Sequence, residues 1–296
     1  MAAILSINAI SKSYGPIQAL NAVSFDVPQG SVFGILGPNG SGKTTLLGIL
    51  LDVLKADSGQ YQWLGGTDNA EARKQIGALL ETPNFYAYLN AEKNLRINAL
   101  IKGKSESDID RVLEIVKLSS RKTSRFSTYS LGMKQRLAIA SALLGSPKIL
   151  VLDEPTNGLD PEGIAEVRSL IKTLNQSGIT IIMASHLLDE IEKVCTHVTI
   201  LKKGNLLITG NIEDAFGNQK LLEVKSDDAV QLKNLLNTIP GIKNISEQGD
   251  LLLLILSNDI SAKNINQICF EKGLVLSHLN YKKKSLENQF MELTQG

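Results

Sequence analysis

Apolar and polar positions follow two rhythms along this chain, and the switch between them marks most of its elements. ILSINAIS (4–11) and ALNAVSFDV (19–27) read as β-runs on either side of KSYGPIQ, and YQWLGG (61–66) is a third β-like piece. SVFGILG (31–37) is a continuous apolar strand that ends in glycine and leads into GSGKTTLLGILL, a helical run. Residues 85–145 read mostly helical, and KILVLDE (148–154) has the unbroken apolar run of a buried strand. A well-marked helix follows. Asp160 is placed to cap it and Pro161 occupies its first position. Ile164, Val167, Leu170, Ile171 and Leu174 form its apolar face, and Gly178 lies past its end. TIIMASH (180–186) is another apolar strand. Apolar strands alternating with helices imply a parallel sheet covered by helices, an α/β fold.

Beyond about residue 218 the pattern changes. Leu232, Leu235, Leu236 and Ile239 have helical spacing, LLLLIL (251–256) and GLVLSHL (273–279) read as strands, and a helical run lies between them. Leu286, Phe290 and Leu293 suggest a closing helix. The expected organisation is a main domain over 1–218, with a helical subdomain at about 85–145, and a small α+β appendage over 219–296.

Composition narrows the function by exclusion. The formal net charge of the 296 residues is +1, which does not advertise nucleic acid or anionic lipid as a partner. The appendage carries eight lysines, no arginine and nine acidic residues over 221–296, a poor nucleic-acid footprint, and KKK at 282–284 reads as a solvated face. Cys195 and Cys269 stand apart from each other and from any Cys/His cluster, which argues against a zinc site or disulfide framework. The start, MAAILSINAISKSYG, does not read as a signal peptide. The longest aliphatic run is far short of the roughly 20 residues a membrane span needs, so any membrane role is expected to come through a partner.

Two segments carry chemistry. GPNGSGKT (37–44) fits G-x-x-x-x-G-K-[ST] and sits between a strand and a helix. Gly37, Pro38, Asn39, Gly40, Ser41 and Gly42 form a loop whose backbone N–H groups can converge on phosphates, helped by the positive end of the helix that Lys43, Thr44 and Thr45 begin. Lys43 would reach the β- and γ-phosphates, and the Thr44 hydroxyl would ligate Mg²⁺. The bland alternative is a glycine turn. In ILVLDEPTNGLD (149–160) a buried strand presents Asp153 and Glu154 at its tip. Asp153 would hold the Mg²⁺, directly or through water, and Glu154 would polarise the attacking water as general base. An acidic pair at a strand end is often structural. Following a phosphate loop by about a hundred residues, it points to nucleotide hydrolysis.

By these two segments, residues 3–216 resemble the ATP-binding cassette family. The resemblance implies a P-loop NTPase fold with an N-terminal antiparallel β part and a helical subdomain, ATP and Mg²⁺ as ligands, and ATP hydrolysis as the reaction. The family's LSGGQ segment corresponds to YSLGMKQR (129–136), which keeps Ser130 and Gly132 but departs at Leu131 and Met133. Ser130 can cap the following helix, whose N–H groups, in the family, meet the γ-phosphate of a nucleotide held by a second subunit. By the same resemblance Tyr14 stacks on adenine, His186 contacts the γ-phosphate and orients the catalytic water, and Asp160 crosses the dimer interface, although its capping role explains it equally well. Glu81 stands where the family's loop glutamine is expected, and either alters coupling or points to solvent. Phe85, Tyr86, Tyr88 and Leu89 lie where the family forms a groove for a membrane partner.

The YSLGM form is similar to exporters with ABC-2-type membrane partners, including drug and peptide-antibiotic exporters. The resemblance thus implies an ATPase subunit at the cytoplasmic face of the membrane. It would pair with a second cassette, as homodimer or heterodimer, and with an integral membrane permease, exporting an unidentified substrate. The rival reading within the family is a soluble ATPase acting on the ribosome or DNA. It sits poorly with a single phosphate loop and no long heptad run. A kinase or GTPase is a second rival, but the chain has no NKxD-type guanine motif.

Overall fold

The computed structural model describes residues 2–66, 69–80, 84–212, 220–257 and 259–283, which fall into two compact units, 1–215 and 216–296. In the first unit β1 (Ala3–Tyr14) and β2 (Ile17–Pro28) form an antiparallel hairpin, and β4 (Ser58–Trp63) joins the other edge of β1. The alternating pattern of these segments suits a sheet with one buried face. Between β2 and β4 come β3 (Val32–Leu36) and helix α1 (Lys43–Leu50). Trp63 is fully buried at the end of β4, where its Nε1 donates to the Leu50 carbonyl at 3.0 Å and satisfies the last turn of α1.

A six-stranded sheet in the order β5-β6-β7-β3-β8-β9 forms the centre. Its strands are β5 (Ile76–Leu79), β6 (Ile149–Asp153), β7 (Thr180–Ser185), β3, β8 (His197–Lys202) and β9 (Asn205–Asn211). All neighbours are parallel except the β8–β9 hairpin. Every residue of β3, β6 and β7 is buried, which is why their sequences are continuously apolar. Because β3, β6 and β7 run parallel, their carboxyl ends emerge at one edge, where open α/β sheets bind ligands. The phosphate loop, the Asp153–Glu154 pair and His186 follow those three strands.

Helix α2 (Asn69–Arg73) precedes β5, and residues 84–145 carry α3 (Ala91–Ile101), α4 (Asp108–Ile115) and α5 (Leu131–Leu143) with two 3₁₀ turns. Helix α6 (Pro161–Gln176) starts at the Asp160 cap, with Val167, Leu170, Ile171 and Leu174 buried as the periodicity requires. Helix α7 (Leu188–Val194) packs on β3 where Gly34 leaves room, since a Cβ there would lie 2.8 Å from Ile191 Cδ1 and 3.0 Å from Cys195 Sγ.

Strands β5, β8 and β9 were not legible as separate elements. β5 is only four residues long and contains a glycine whose reason is packing: a Cβ on Gly77 would sit 2.1 Å from the Ala142 carbonyl oxygen of α5. Gly77→Ala is therefore expected to cost on the order of 3 kcal/mol. Thermal unfolding should show a drop of several degrees; an unchanged Tm would mean that the α5 backbone does not press on β5.

The second unit has the order β10 (Lys220–Ser226), α8 (Ala229–Leu236), β11 (Ile242–Gln248), β12 (Leu251–Leu256), α9 (Ala262–Glu271), β13 (Leu276–Lys283). Its antiparallel sheet runs β11-β12-β10-β13, a split βαβ arrangement. Leu222, Val224, Leu232, Leu236, Leu254, Ile265 and Cys269 fill its core. The Asp228 carboxylate caps α8, and a Ser261–Asn264 capping box starts α9. The GLVLSHL segment is a strand only from Leu276. Gly273, at φ 79°, ends α9 in the left-handed conformation, and Leu274 drops into the core as part of that turn. The closing helix expected at Leu286, Phe290 and Leu293 lies outside the described residues. Among the described residues no helix is long and apolar enough to cross a membrane.

Candidate nucleotide site

The phosphate loop follows β3. Gly42, at φ 106°, lies so close to the β2 segment that a Cβ would meet the Ala19 carbonyl oxygen at 2.4 Å, so only glycine fits. Lys43 opens α1 and is buried; its Nζ donates to the carbonyl oxygens of Gly37 at 2.8 Å and Pro38 at 3.3 Å. The ammonium therefore already faces the concave side of the loop. Thr44 Oγ1 donates to Asp153 Oδ2 at 2.9 Å, joining the loop to the tip of β6.

Glu154 extends this polar chain. Its Oε1 lies 3.5 Å from Lys43 Nζ, and its Oε2 lies 2.9 Å from His186 Nδ1. The His186 backbone N–H also donates to Oε2 at 3.4 Å. Glu154 adopts φ 47°, a left-handed conformation that costs a non-glycine residue of order 1–3 kcal/mol, and its N–H is tied to the Ala184 carbonyl at 3.0 Å. The chain thus spends strain to aim this carboxylate. Lys43, Thr44, Asp153, Glu154 and His186 form one connected cluster.

Lys43, Thr44 and Glu154 of this cluster border a cleft of about 590 Å³ lined by residues 39–45, Glu154, Tyr14, Ile17, Gln18, Ala19 and Lys203. Tyr14 is half exposed there, with Lys12 Nζ 5.6 Å from its ring centroid. The Lys12 ammonium also hydrogen-bonds Asp57 and holds that carboxyl below its ordinary value. Lys203 was missed from sequence. It sits at the tip of the β8–β9 hairpin, and the signal was present in HVTILKKGNLLIT: two apolar runs around Lys-Lys-Gly-Asn.

The remaining residues lie elsewhere. Ser130 Oγ accepts from the Met133 N–H at 3.2 Å and Asp160 Oδ1 from the Gly163 N–H at 2.9 Å, so both cap helices. Ser130, Gly132 and Asp160 line a separate concavity of about 450 Å³ that shares no lining residue with the Tyr14–Lys43 cleft. Leu131, one of the departures from LSGGQ, is exposed on that rim. Tyr129 is buried, its hydroxyl donates to the Arg121 carbonyl at 2.7 Å, and burial pushes its phenol pKa up. Glu81 lies outside the described residues. Behind the site, Arg168 of α6 pairs with buried Glu190 of α7 at 2.9 Å. Burial pushes the neighbouring Cys195 thiol far up, and Glu190 adds to the effect.

The residues present fit a magnesium nucleotide. The loop is open on its concave side, with nothing within 4 Å of a Cβ built on Gly40. The buried Ser41 hydroxyl has no partner among the described residues, and an ammonium, a hydroxyl and two carboxylates converge on one spot. A hydroxyl beside a carboxylate is a hard-oxygen donor set suited to Mg²⁺.

Comparison with known proteins agrees. The family described as ABC transporter matches residues 20–157. The bacitracin transport ATP-binding protein of Bacillus licheniformis is 38% identical over 302 residues, covering 100% of this chain and 99% of that protein. The chain belongs to the ABC transporter ATP-binding proteins. Among solved structures, the ADP conformation of an ATP-binding cassette of an ABC transporter superposes with TM-score 0.67 at 28% identity, covering 73% of this chain and 93% of that one. A dimeric post-hydrolysis cassette bound to ADP and phosphate gives TM-score 0.62 at 25% identity, covering 70% of this chain and 98% of its own. The fold is that of the ABC ATPases. This ABC protein binds ATP with Mg²⁺ and hydrolyses it to power transport.

Proposed function

We propose that two copies of the cassette, or one copy and a related one, close around ATP, each nucleotide held between the Lys43 loop of one protomer and the Ser130 helix tip of the other. The observation that carries this is the separation of the two half-sites within one protomer. The phosphate loop and Glu154 line one concavity, and an N-capped helix tip lines another with no residue in common. A capped helix N-terminus favours an anion, and a nucleotide engaging both surfaces favours the closed pair by its differential affinity. The similar cassette that is a dimer with ADP and phosphate bound supports the pairing of two cassettes.

In the reaction the Glu154 carboxylate takes the proton of a water that attacks the γ-phosphorus. The bond from that phosphorus to the β,γ-bridging oxygen breaks, leaving ADP and phosphate. His186, hydrogen-bonded to Glu154, fixes the orientation of that carboxylate. Lys43 moves its ammonium from the Gly37 and Pro38 carbonyls to phosphate oxygens. Thr44 and Asp153 would hold Mg²⁺, which when bound would supply positive charge beside the phosphates.

Product release then opens the dimer and moves a membrane permease. The docking surface we assign is the segment carrying Phe85, Tyr86, Tyr88 and Leu89. Tyr86 is 53% and Tyr88 70% exposed, yet the backbone at Tyr86 is tied down by hydrogen bonds. Buried Asn94 accepts from the Tyr86 N–H at 2.9 Å and donates to the Tyr86 carbonyl at 3.2 Å, while Phe85 packs on Phe126. Exposed aromatics on a fixed backbone suit a protein partner. The bacitracin transport relative favours export of a peptide antibiotic from the cytoplasmic face of the membrane.

Ser130→Phe tests the sandwich. The variant should bind ATP as a monomer with parental affinity yet fail to dimerise with ATP in light scattering; ATP-driven dimers at the parental level would refute the cross-protomer contact.

A further inference from the structure

Among the described residues, three that line the nucleotide cleft carry side-chain charge: Lys43, Glu154 and Lys203. Lys43 and Glu154 face each other at 3.5 Å, so their fields largely cancel beyond the immediate contact. Of these three, Lys203 is left without an opposite charge facing it. It is exposed, and the salt bridges among the described residues do not include it.

Its position is built. Lys203 adopts φ 46° at the turn between β8 and β9, and the next residue locks the turn to the phosphate loop. The Gly204 N–H donates to the Ser41 carbonyl at 3.0 Å, and the Gly204 carbonyl accepts from the Asn21 N–H at 2.9 Å. A Cβ on Gly204 would approach the Ala19 oxygen to 2.8 Å and the Gln18 oxygen to 3.0 Å. Asn21 Nδ2 adds a bond to Asn205 Oδ1 at 2.9 Å across the same contact. The turn is thereby fixed against the loop and against the segment that follows Tyr14. Glu154 and His186, by contrast, mark the end where the γ-phosphate reacts.

We infer that Lys203 is a second cation of the nucleotide site, binding the phosphate oxygens that stay with the nucleoside, and so holding nucleoside diphosphates and triphosphates alike. This rests on the nucleotide-site reading above. A cation that meets the parts common to reactant and product strengthens ground and transition states equally. Its loss should then appear in KM rather than kcat.

The test is Lys203→Gln, which keeps most of the side chain and removes its charge, compared with the parental protein by titration with ATP, ADP and adenosine. The expected result is a roughly three- to tenfold weaker Kd for both ATP and ADP at low salt, shrinking at high salt, with adenosine unaffected. Lys203→Arg should restore the affinity, and Lys203→Glu should lower it further. Unchanged ADP binding in Lys203→Gln would overturn the assignment. So would an equal loss for adenosine, because that would report a distorted cleft rather than a missing charge. If the parental protein shows no Lys43-dependent ATP binding, the site reading itself fails, a result distinct from either of these.

Discussion

Replacing Glu154 by glutamine should cut ATP turnover by roughly 10²- to 10⁴-fold while leaving ATP binding in place. The amide keeps the size of the side chain and can still meet His186 Nδ1, which the carboxylate approaches at 2.9 Å. What it loses is the ability to take a proton from water. It also removes the negative charge 3.5 Å from Lys43, which frees that ammonium for phosphate. Binding should therefore hold or improve, and the protein should accumulate as an ATP-bound dimer in light scattering. Steady-state phosphate release is the decisive measurement. Turnover within a few-fold of the parental rate would show that another group activates the water.

Lys43→Ala acts on the other side of the same pair. Charge-assisted hydrogen bonds contribute about 1.5–3 kcal/mol each, so the variant should bind ATP roughly ten- to a hundredfold more weakly. It also leaves the Gly37 and Pro38 carbonyls without their donor and Glu154 without its nearest cation. Calorimetric titration with ATP measures the loss, and Glu154→Gln provides the contrast: one variant binds without turning over, the other scarcely binds. An ATP affinity equal to the parental value in Lys43→Ala would remove the phosphate loop from the account.

The same pair shows what the sequence could and could not reveal. The phosphate loop was legible because its chemistry is made by backbone, and backbone geometry of that kind demands glycines at fixed intervals. Gly42, with no space for a Cβ, is the clearest instance. The start of α6 was legible because capping is local: Asp160 Oδ1 accepts from Gly163 N–H three residues on, as its pattern required. The strands β3, β6 and β7 announced themselves as apolar runs because a central parallel strand is buried on both faces.

The missed features depend on distant parts of the chain. β5 is identifiable only once the Ala142 carbonyl is seen against Gly77, a contact between residues far apart in sequence. Lys203 went unremarked, because nothing local says that its hairpin turn is fastened to Ser41. The split of the site was expected from the family resemblance and not from any local pattern. Ser130 and Lys43 each resemble half of a nucleotide contact, and only the folded chain places them in different concavities.

The glycine in the middle of β3 has a mechanical consequence. Gly34 lets Ile191 and Cys195 sit almost against the strand that ends in the phosphate loop, so α7 has little freedom to slide over it. His186 is held between the end of β7 on one side and this seated helix on the other, and its carboxylate partner is strapped to β7 through the Ala184 carbonyl. Glu154 and His186 are therefore set in advance, like type locked in a frame, and under the proposed mechanism the Lys43 ammonium is the group that shifts when nucleotide arrives.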